Sequence, residues 1–536
     1  MTCKLDSLPD DPQALQAMLL AERARHAAEL AEARHAASSA TADRDRAVAE
    51  IDRLRQIIQA LQRHRFGRRA ETLEPDQLQL ALEDVEQTLS TTEAAVPAPG
   101  EPLSSSRPRP RRTNRGRLPG NLPREEVVIE PDDRACPCCG GTLHRIGEDV
   151  AERLDIVPAR FRVIVTRRPK YACRACEGAV VQAPAAARLV EGGLPTEALI
   201  AHVAVAKYAD HVPLYRQAQI YARQGIDLDR STLADWVGRA AWYLKPLHAR
   251  LLAQLRRSAK LFADETPAPV LDPGRGRTKT GQLWAYARDD RPWSGPDPPA
   301  VGYVYAPDRK GERPAAHLTG FAGILQVDGY AGYRALEKTG AVQLAFCWAH
   351  VRRGFHEIAA GGSAPIATEA LKRIAALYRI EREIRGLSAD ERRVRRQAQA
   401  KTIIDALHAW LTEQLKTVSR KSAIAEAIRY ALTRWEGLTR YLDDGRVEID
   451  SNTVERSIKP IALNRKNALF AGSDGGGDHW AIIASLIETC KLNAVDPEAW
   501  LADVLTRLAA GHPVNRLDDL LTWTHTPAPA APTAVA

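Results

Sequence analysis

The sequence predicts a multidomain α/β protein whose largest part is one open sheet interrupted by a helical insertion. Three observations carry this reading. Residues 260–346 order themselves as three strand-like runs, a helix, a strand, a helix and a strand. One aspartate follows the first of these strands and another follows the fourth. A strongly charged helical stretch at about 364–440 then separates this core from a helix that carries a third acid, Glu455. That order of strands and helices is the one a ribonuclease-H-like sheet requires, with its first and fourth strands as neighbours. At 536 residues the chain exceeds what one hydrophobic core supports, so several structural units are expected.

The core elements follow from local pattern. Lys260 to Ala263 reads as a strand ending at Asp264, and QLWAYAR and AVGYVYAP read as the next two. A short helical piece is expected near 314–321. Gly323 to Val327 is the fourth strand and ends at Asp328, YRALEKTG is a helix, and Val342 to Phe346 is the fifth strand. Ligands of open α/β sheets bind beyond the carboxyl ends of strands, so Asp264 and Asp328 are placed where chemistry is accessible. Glu265 competes with Asp264, but strand alternation turns it to the other face. SNTVERSIKPIALNRKN is helical, with Ser451 or Asn452 as its cap and Glu455 in its first turns. The core is expected over 256–495, followed at 496–536 by a helical segment and a Thr/Pro/Ala-rich tail expected to be disordered.

Upstream of the core, residues 1–88 read as a helical, coiled-coil-like region. Ile51, Leu54, Ile58 and Leu61 follow the 3-4-3 spacing of a coiled-coil seam, but its backward extension meets alanines, arginines and His26, so the seam is short. Residues 89–126 turn to Pro, Ser, Thr, Gly and Arg and form a linker without a core. Between Arg107 and Arg124 lie seven arginines and no acid, and Arg107, Arg109, Arg111 and Arg112 are expected to meet DNA phosphates. A merely solubilising linker is the alternative. Residues 127–190 alternate like short strands (EEVVIE, ERLDIV, FRVIVTRRPKYAC) around two C-x-x-C pairs. Residues 191–255 become helical, and PLYRQAQIYARQGIDLDRSTLADWVGRA reads as helix, glycine turn and a second helix capped by Ser231, a helix-turn-helix with Arg230 as a DNA contact. Any two-helix hairpin would present a similar pattern.

Eight cysteines occur, at 3, 136, 138, 139, 173, 176, 347 and 490. Cys136, Cys139, Cys173 and Cys176 form two knuckles suited to one structural zinc ion, since four thiolates leave no open position for catalysis. Cys138 is the spare. Cys347 follows a hydrophobic strand and reads as core. The chain carries a formal charge of +8 and no apolar run near the ~20 residues that cross a bilayer, and its first residues lack the order of a secretory signal. A cytoplasmic protein without membrane partners is therefore expected.

Two aspartates at adjacent strand ends and a glutamate from a packed helix supply the hard oxygen donors that two Mg²⁺ or Mn²⁺ ions need for phosphodiester chemistry. His350, just after the fifth strand, is expected near them, where it could orient a phosphate or a water. Arg352, Arg353, Arg456 and Lys459 are expected to contact phosphates, with a solvated basic face as the alternative for each pair.

The segments ADETP (263–267), VDGYAGY (327–333), CWAHVRR (347–353), DSNTVERSIKP (450–460), RKNALFAGS (465–473) and SLIETCKLNAVDP (485–497) together resemble the transposases of the insertion sequence 66 family. Arg65-Phe66-Gly67, the CPCCGG segment and KYADHVPLYRQAQIYARQGIDLDRSTLADWV extend the resemblance over nearly the whole chain. Ser451 stands where that family usually has a second Asn, and Ala468 where it usually has Trp. The resemblance implies a DDE transposase whose motif carboxylates are Asp264, Asp328 and Glu455, cutting at element ends and joining the freed 3′-hydroxyl to target DNA. It also implies self-association and small accessory proteins as partners. The rival readings are a nuclease of the same fold that cuts without strand transfer, and a DNA-binding regulator with a silent core.

Overall fold

The computed structural model describes residues 159–172, 180–272, 274–338 and 340–526, with isolated positions 124, 126 and 128. The coiled-coil seam at 51–61, Arg107, Arg109, Arg111 and Arg112, the cysteines at 136, 139, 173 and 176, and the tail beyond 526 lie outside the described residues. The described residues divide into two compact units, one over 187–217 and 230 onward, the other over those between 124 and 186 together with 218–229.

In the smaller unit, strands β1 (Lys170–Ala172) and β2 (Val180–Gln182) pair antiparallel. Residues 159–169 form no strand, although FRVIVTRRPKYAC was expected to be extended along its length. Val163, Ile164 and Val165 stay exposed, so no partner surface turns their β propensity into a ladder.

The larger unit begins with helix α1 (Glu197–Tyr208), capped by the Thr196 side chain. Helix α2 (Leu214–Ala222) follows, its second half belonging to the smaller unit. The next helix, α3 (Arg230–Arg256), corrects the expected Ser231 cap. It starts at Arg230, so Ser231 lies inside it rather than capping it, and it runs for 27 residues. Leu233, Trp236, Val237, Leu244, Leu247 and Leu251 are buried along it, which makes its inner stripe part of the core.

The sheet has five strands in the order β5-β4-β3-β6-β7. β3 (Lys260–Asp272), β4 (Arg277–Arg288) and β5 (Ala300–Ala306) form an antiparallel meander. Helix α4 (Glu312–His317) leads to β6 (Gly323–Val327), which pairs parallel to β3. Helix α5 (Arg334–Glu337) leads to β7 (Val342–Phe346), parallel to β6. The first strand does not end at Asp264 as expected. It continues eight residues further because β4 accompanies it to Asp272. Its parallel pairing with β6, however, covers only Lys260–Phe262. Beyond that point the β6-side edge of β3 opens, and Asp264 sits at the opening.

After β7, helix α6 (Trp348–Ala360) enters the insertion, which comprises α7 (Pro365–Glu383), α8 (Ala389–Arg395), α9 (Lys401–Thr417), α10 (Ala423–Leu432) and α11 (Trp435–Thr439). These helices span 365–439. Trp348, Phe355, Ile374, Leu377, Leu407 and Ile428 form a core continuous with Ile324 and Ala345 of the sheet, so the insertion is packed onto the sheet rather than tethered to it. Helix α12 (Asn452–Ala468) packs against β3 and β4, α13 (Asp474–Leu492) against β5 and α3, and α14 (Pro497–Ala509) against α1. Among the described residues no helix is long and apolar enough to cross a membrane.

Candidate active site

Three acids that are distant in sequence meet where β3 and β6 part. Phe262 pairs with Gln326, so Asp264 and Asp328 each lie two residues beyond the last paired position of their parallel strands. Glu455 arrives from the first turns of α12. Burial pushes the Asp264 carboxyl well above the ordinary range, and the charges of Glu265, Asp328 and Glu455 push it further, while the Glu265 backbone N–H, donating at 2.8 Å, opposes them. Like charges nearby disfavour the ionised form, so Asp264 carries the cost of having three acids around it.

Each acid is held by identifiable contacts. Asp328 accepts the Tyr330 N–H at 2.8 Å, and its own carbonyl accepts the Tyr430 hydroxyl at 2.8 Å. Gly329 between them has φ +103, and a Cβ there would come within 2.8 Å of Arg434 Nε, so only glycine fits this turn. Glu455 accepts the Ser451 hydroxyl at 3.1 Å. Ser451 occupies the cap position of α12 but makes no side-chain cap bond. Its hydroxyl serves the glutamate instead.

Glu265 is turned to other partners, as alternation requires. Its side chain is 1% exposed and accepts Arg309 at 2.5 and 2.8 Å and the Tyr333 hydroxyl at 3.0 Å. It is a structural ion pair beside the site.

The segment that delivers Glu455 is stitched from two sides by residues the sequence reading did not single out. Gln326, fully buried in β6, donates to the carbonyls of Glu448 and Asp450 at 2.9 and 3.3 Å and accepts the Glu448 N–H at 2.9 Å. From the other side the Trp348 N–H donates to the Ile449 carbonyl at 3.0 Å, and the Ser451 N–H donates to Cys347 Sγ at 3.2 Å. A glutamine inside an otherwise apolar strand was the available sign for Gln326. Cys347 is buried core, as expected, and burial drives its thiol far up.

His350 reaches the cluster, with Nδ1 3.9 Å from Glu455 Oε1. Burial lowers its imidazole pKa more than Glu455 raises it. Cys347, His350 and Glu455 bring one ligand atom each within 4.8 Å of one another. Asp450, buried next to these residues, is pushed up to about 7 by burial and by Glu448 and Glu455. Of the expected phosphate contacts, Arg230, Arg456 and Lys459 are exposed, whereas Arg352 and Arg353 on α6 are half-buried.

Family models match four stretches of the chain. Residues 192–479 match "Transposase IS66 family", and residues 133–177, which contain all four paired cysteines, match "zinc-finger binding domain of transposase IS66". Residues 485–523 match "IS66 C-terminal element", and residues 53–127 match "Transposase C of IS166 homeodomain". Two proteins of Sinorhizobium fredii are similar over most of their length. The uncharacterized protein y4qI is 46% identical over 98% of this chain and 99% of its own, and the uncharacterized protein y4jD is 49% identical over 88% and 94%. The uncharacterized protein YuaK of Escherichia coli is 51% identical, but over 9% of this chain and 60% of its own.

Proposed function

The chain belongs to the IS66 transposase family, and we propose that it cuts DNA at element ends and transfers the freed 3′-hydroxyl to target DNA, with Asp264, Asp328 and Glu455 as the catalytic acids. The observation that carries this reading is the meeting of the three acids at the open edge between β3 and β6, with Asp264 destabilised as an anion. We read the sheet as ribonuclease-H-like. Its order β5-β4-β3-β6-β7, antiparallel in the first three strands and parallel thereafter, supports that assignment.

The donor set fits divalent metal. Three carboxylates offer hard oxygens, and the repulsion that Asp264 feels from Asp328 and Glu455 is what a bound cation would relieve. Asp264, Asp328 and Glu455 would hold one or two Mg²⁺ or Mn²⁺ ions. Such ions activate an attacking hydroxyl and stabilise the leaving oxygen in phosphodiester exchange. The chain's own work is positioning. The Tyr330 N–H fixes the Asp328 carboxylate, Ser451 fixes that of Glu455, and the Glu265–Arg309–Tyr333 pairing keeps a fourth acid out of the pocket. Arg456 and Lys459, exposed on α12 beside Glu455, are proposed to meet the DNA backbone, as are Arg230 and the arginines of the linker. Cys136, Cys139, Cys173 and Cys176 are proposed to hold one structural zinc ion.

The test is incubation of the full chain with DNA carrying the two ends that flank its own gene, in Mg²⁺ or Mn²⁺. Nicking at the ends followed by joined products supports the reading. Cleavage without joining would leave the nuclease alternative, and end binding without cleavage would leave a silent regulator.

A further inference from the structure

His350 is placed as a metal ligand would be, yet the three acidic positions of a DDE site leave it without a role. Its Nδ1 is buried and has no hydrogen-bond partner. A buried ring nitrogen without a partner costs free energy unless something the structure does not contain completes it. The Glu455 carboxylate stands 3.9 Å away, too far for a hydrogen bond. That separation suits two donors on one ion, because ligands with bonds of about 2.1 Å to a common ion lie no more than about 4.2 Å apart. The charges of Glu455, Arg353 and Asp328 all reach the ring. Cys347 is not available as a third ligand of this set. Its sulfur already accepts the Ser451 N–H, and the residue is 1% exposed.

The position is built rather than incidental. The Trp348 and Ser451 backbone hydrogen bonds fasten the start of α6 to the segment leading into α12. These two contacts fix the register between His350 and Glu455 across 105 residues of sequence, with the whole insertion between them.

We propose that His350 ligates, through Nδ1, the divalent ion that Glu455 binds, giving the site a nitrogen donor and a preference for Mn²⁺ over Mg²⁺. This rests on the metal-site reading of Asp264, Asp328 and Glu455. Imidazole is a borderline donor, suited to transition metals, whereas Mg²⁺ favours oxygen alone, so one nitrogen in an oxygen-rich set shifts selectivity toward Mn²⁺.

The experiment is electron spin-echo envelope modulation on the full-length chain loaded with Mn²⁺, alongside a Mn²⁺ titration in competition with Mg²⁺. The wild-type chain should show nitrogen-14 modulation. His350→Asn, which sets an amide oxygen near the place of Nδ1, should bind Mn²⁺ without that modulation and with reduced Mn²⁺ preference. His350→Ala should weaken Mn²⁺ binding at least about tenfold, the loss that even outer partners of metal ligands produce. Circular dichroism of both variants should match the wild type. Modulation absent from the wild-type chain, or persisting in His350→Asn, would overturn the proposal while leaving the three-acid site standing. Mn²⁺ binding that survives Asp264→Asn combined with Asp328→Asn would overturn both.

Discussion

Two clusters of buried acids lie in the same unit and are treated in opposite ways. Where the insertion meets the sheet, Glu381 of the insertion and Glu448 beyond it are met by arginines that are themselves buried. Arg396 donates to Glu381 at 2.7 and 2.8 Å, and Arg392 approaches Glu448 at 2.8 Å and Glu381 at 3.4 Å. Burial pushes the Glu448 carboxyl up, but Arg392, Lys260 and Arg396 together more than offset this and hold it below its ordinary value. At the open edge of the sheet, Asp264, Asp328 and Glu455 have acids for neighbours, and Asp264 is driven far up. One cluster is complete within the chain and stiffens the joint between insertion and sheet. The other gathers acids whose charges raise Asp264, an arrangement suited to a cation that arrives from solution.

The largest expected effect separates the two at once. Asp264→Asn, Asp328→Asn or Glu455→Gln should each reduce strand cleavage on the order of 10³-fold or more, and combining two should add little, because the acids act as a unit. Gel analysis of end-bearing DNA measures this. Glu265→Gln and Asp308→Asn serve as controls and should retain most activity, since Glu265 is spent on Arg309 and Tyr333, and Asp308 on Arg313.

Stability should move the other way. Arg392→Met leaves Glu448 buried without its main partner and should cost about 3–5 kcal/mol in urea unfolding, the usual range for breaking a buried ion pair. Asp264→Asn in metal-free buffer should cost nothing or stabilise. A loss of several kcal/mol from Asp264→Asn would mean that the acids are satisfied internally after all.

Gln326→Leu sharpens the comparison from the positioning side. It removes three hydrogen bonds to the 448–450 segment and should cost about 1–3 kcal/mol, with cleavage falling as Glu455 loses its register. Unchanged cleavage with lowered stability would confine Gln326 to a structural role.

Parts of the fold around this site were legible in the sequence. β6 and β7 were bounded as the structure has them, because each is a short, mostly apolar run that follows a glycine (Gly320 and Gly340). The insertion was equally plain from its charged helical periodicity. The extent of β3 was hidden. Its pattern after Asp264 (ETPAPVLD) contains two prolines and looks like a loop, and only pairing with β4 makes it a strand. Ser231 failed as a cap because burial of Leu233 and Trp236 fixed where α3 begins, and tertiary packing outweighs cap preference. Gln326 stands out as a glutamine in an apolar strand, but its partners at 448–450, more than a hundred residues away, leave no local trace.

A smaller effect concerns Asp450, whose carboxyl is raised to about 7. A raised acid contributes stability that is fully present below its ordinary value near 4 and is lost as pH rises through about 7. Metal-free protein should therefore lose stability over that window, and Asp450→Asn should flatten the dependence. An unchanged pH profile in the variant would assign the loss to other groups.

The central claim is that the three acids at the open edge await a cation. It is tested most directly by the thermal midpoint of the full chain with and without Mn²⁺, beside that of Asp264→Asn. The account predicts that Mn²⁺ raises the midpoint of the wild-type chain, and that Asp264→Asn starts no lower without metal and gains little from it. A wild-type midpoint indifferent to Mn²⁺, or an equal gain in Asp264→Asn, would contradict it.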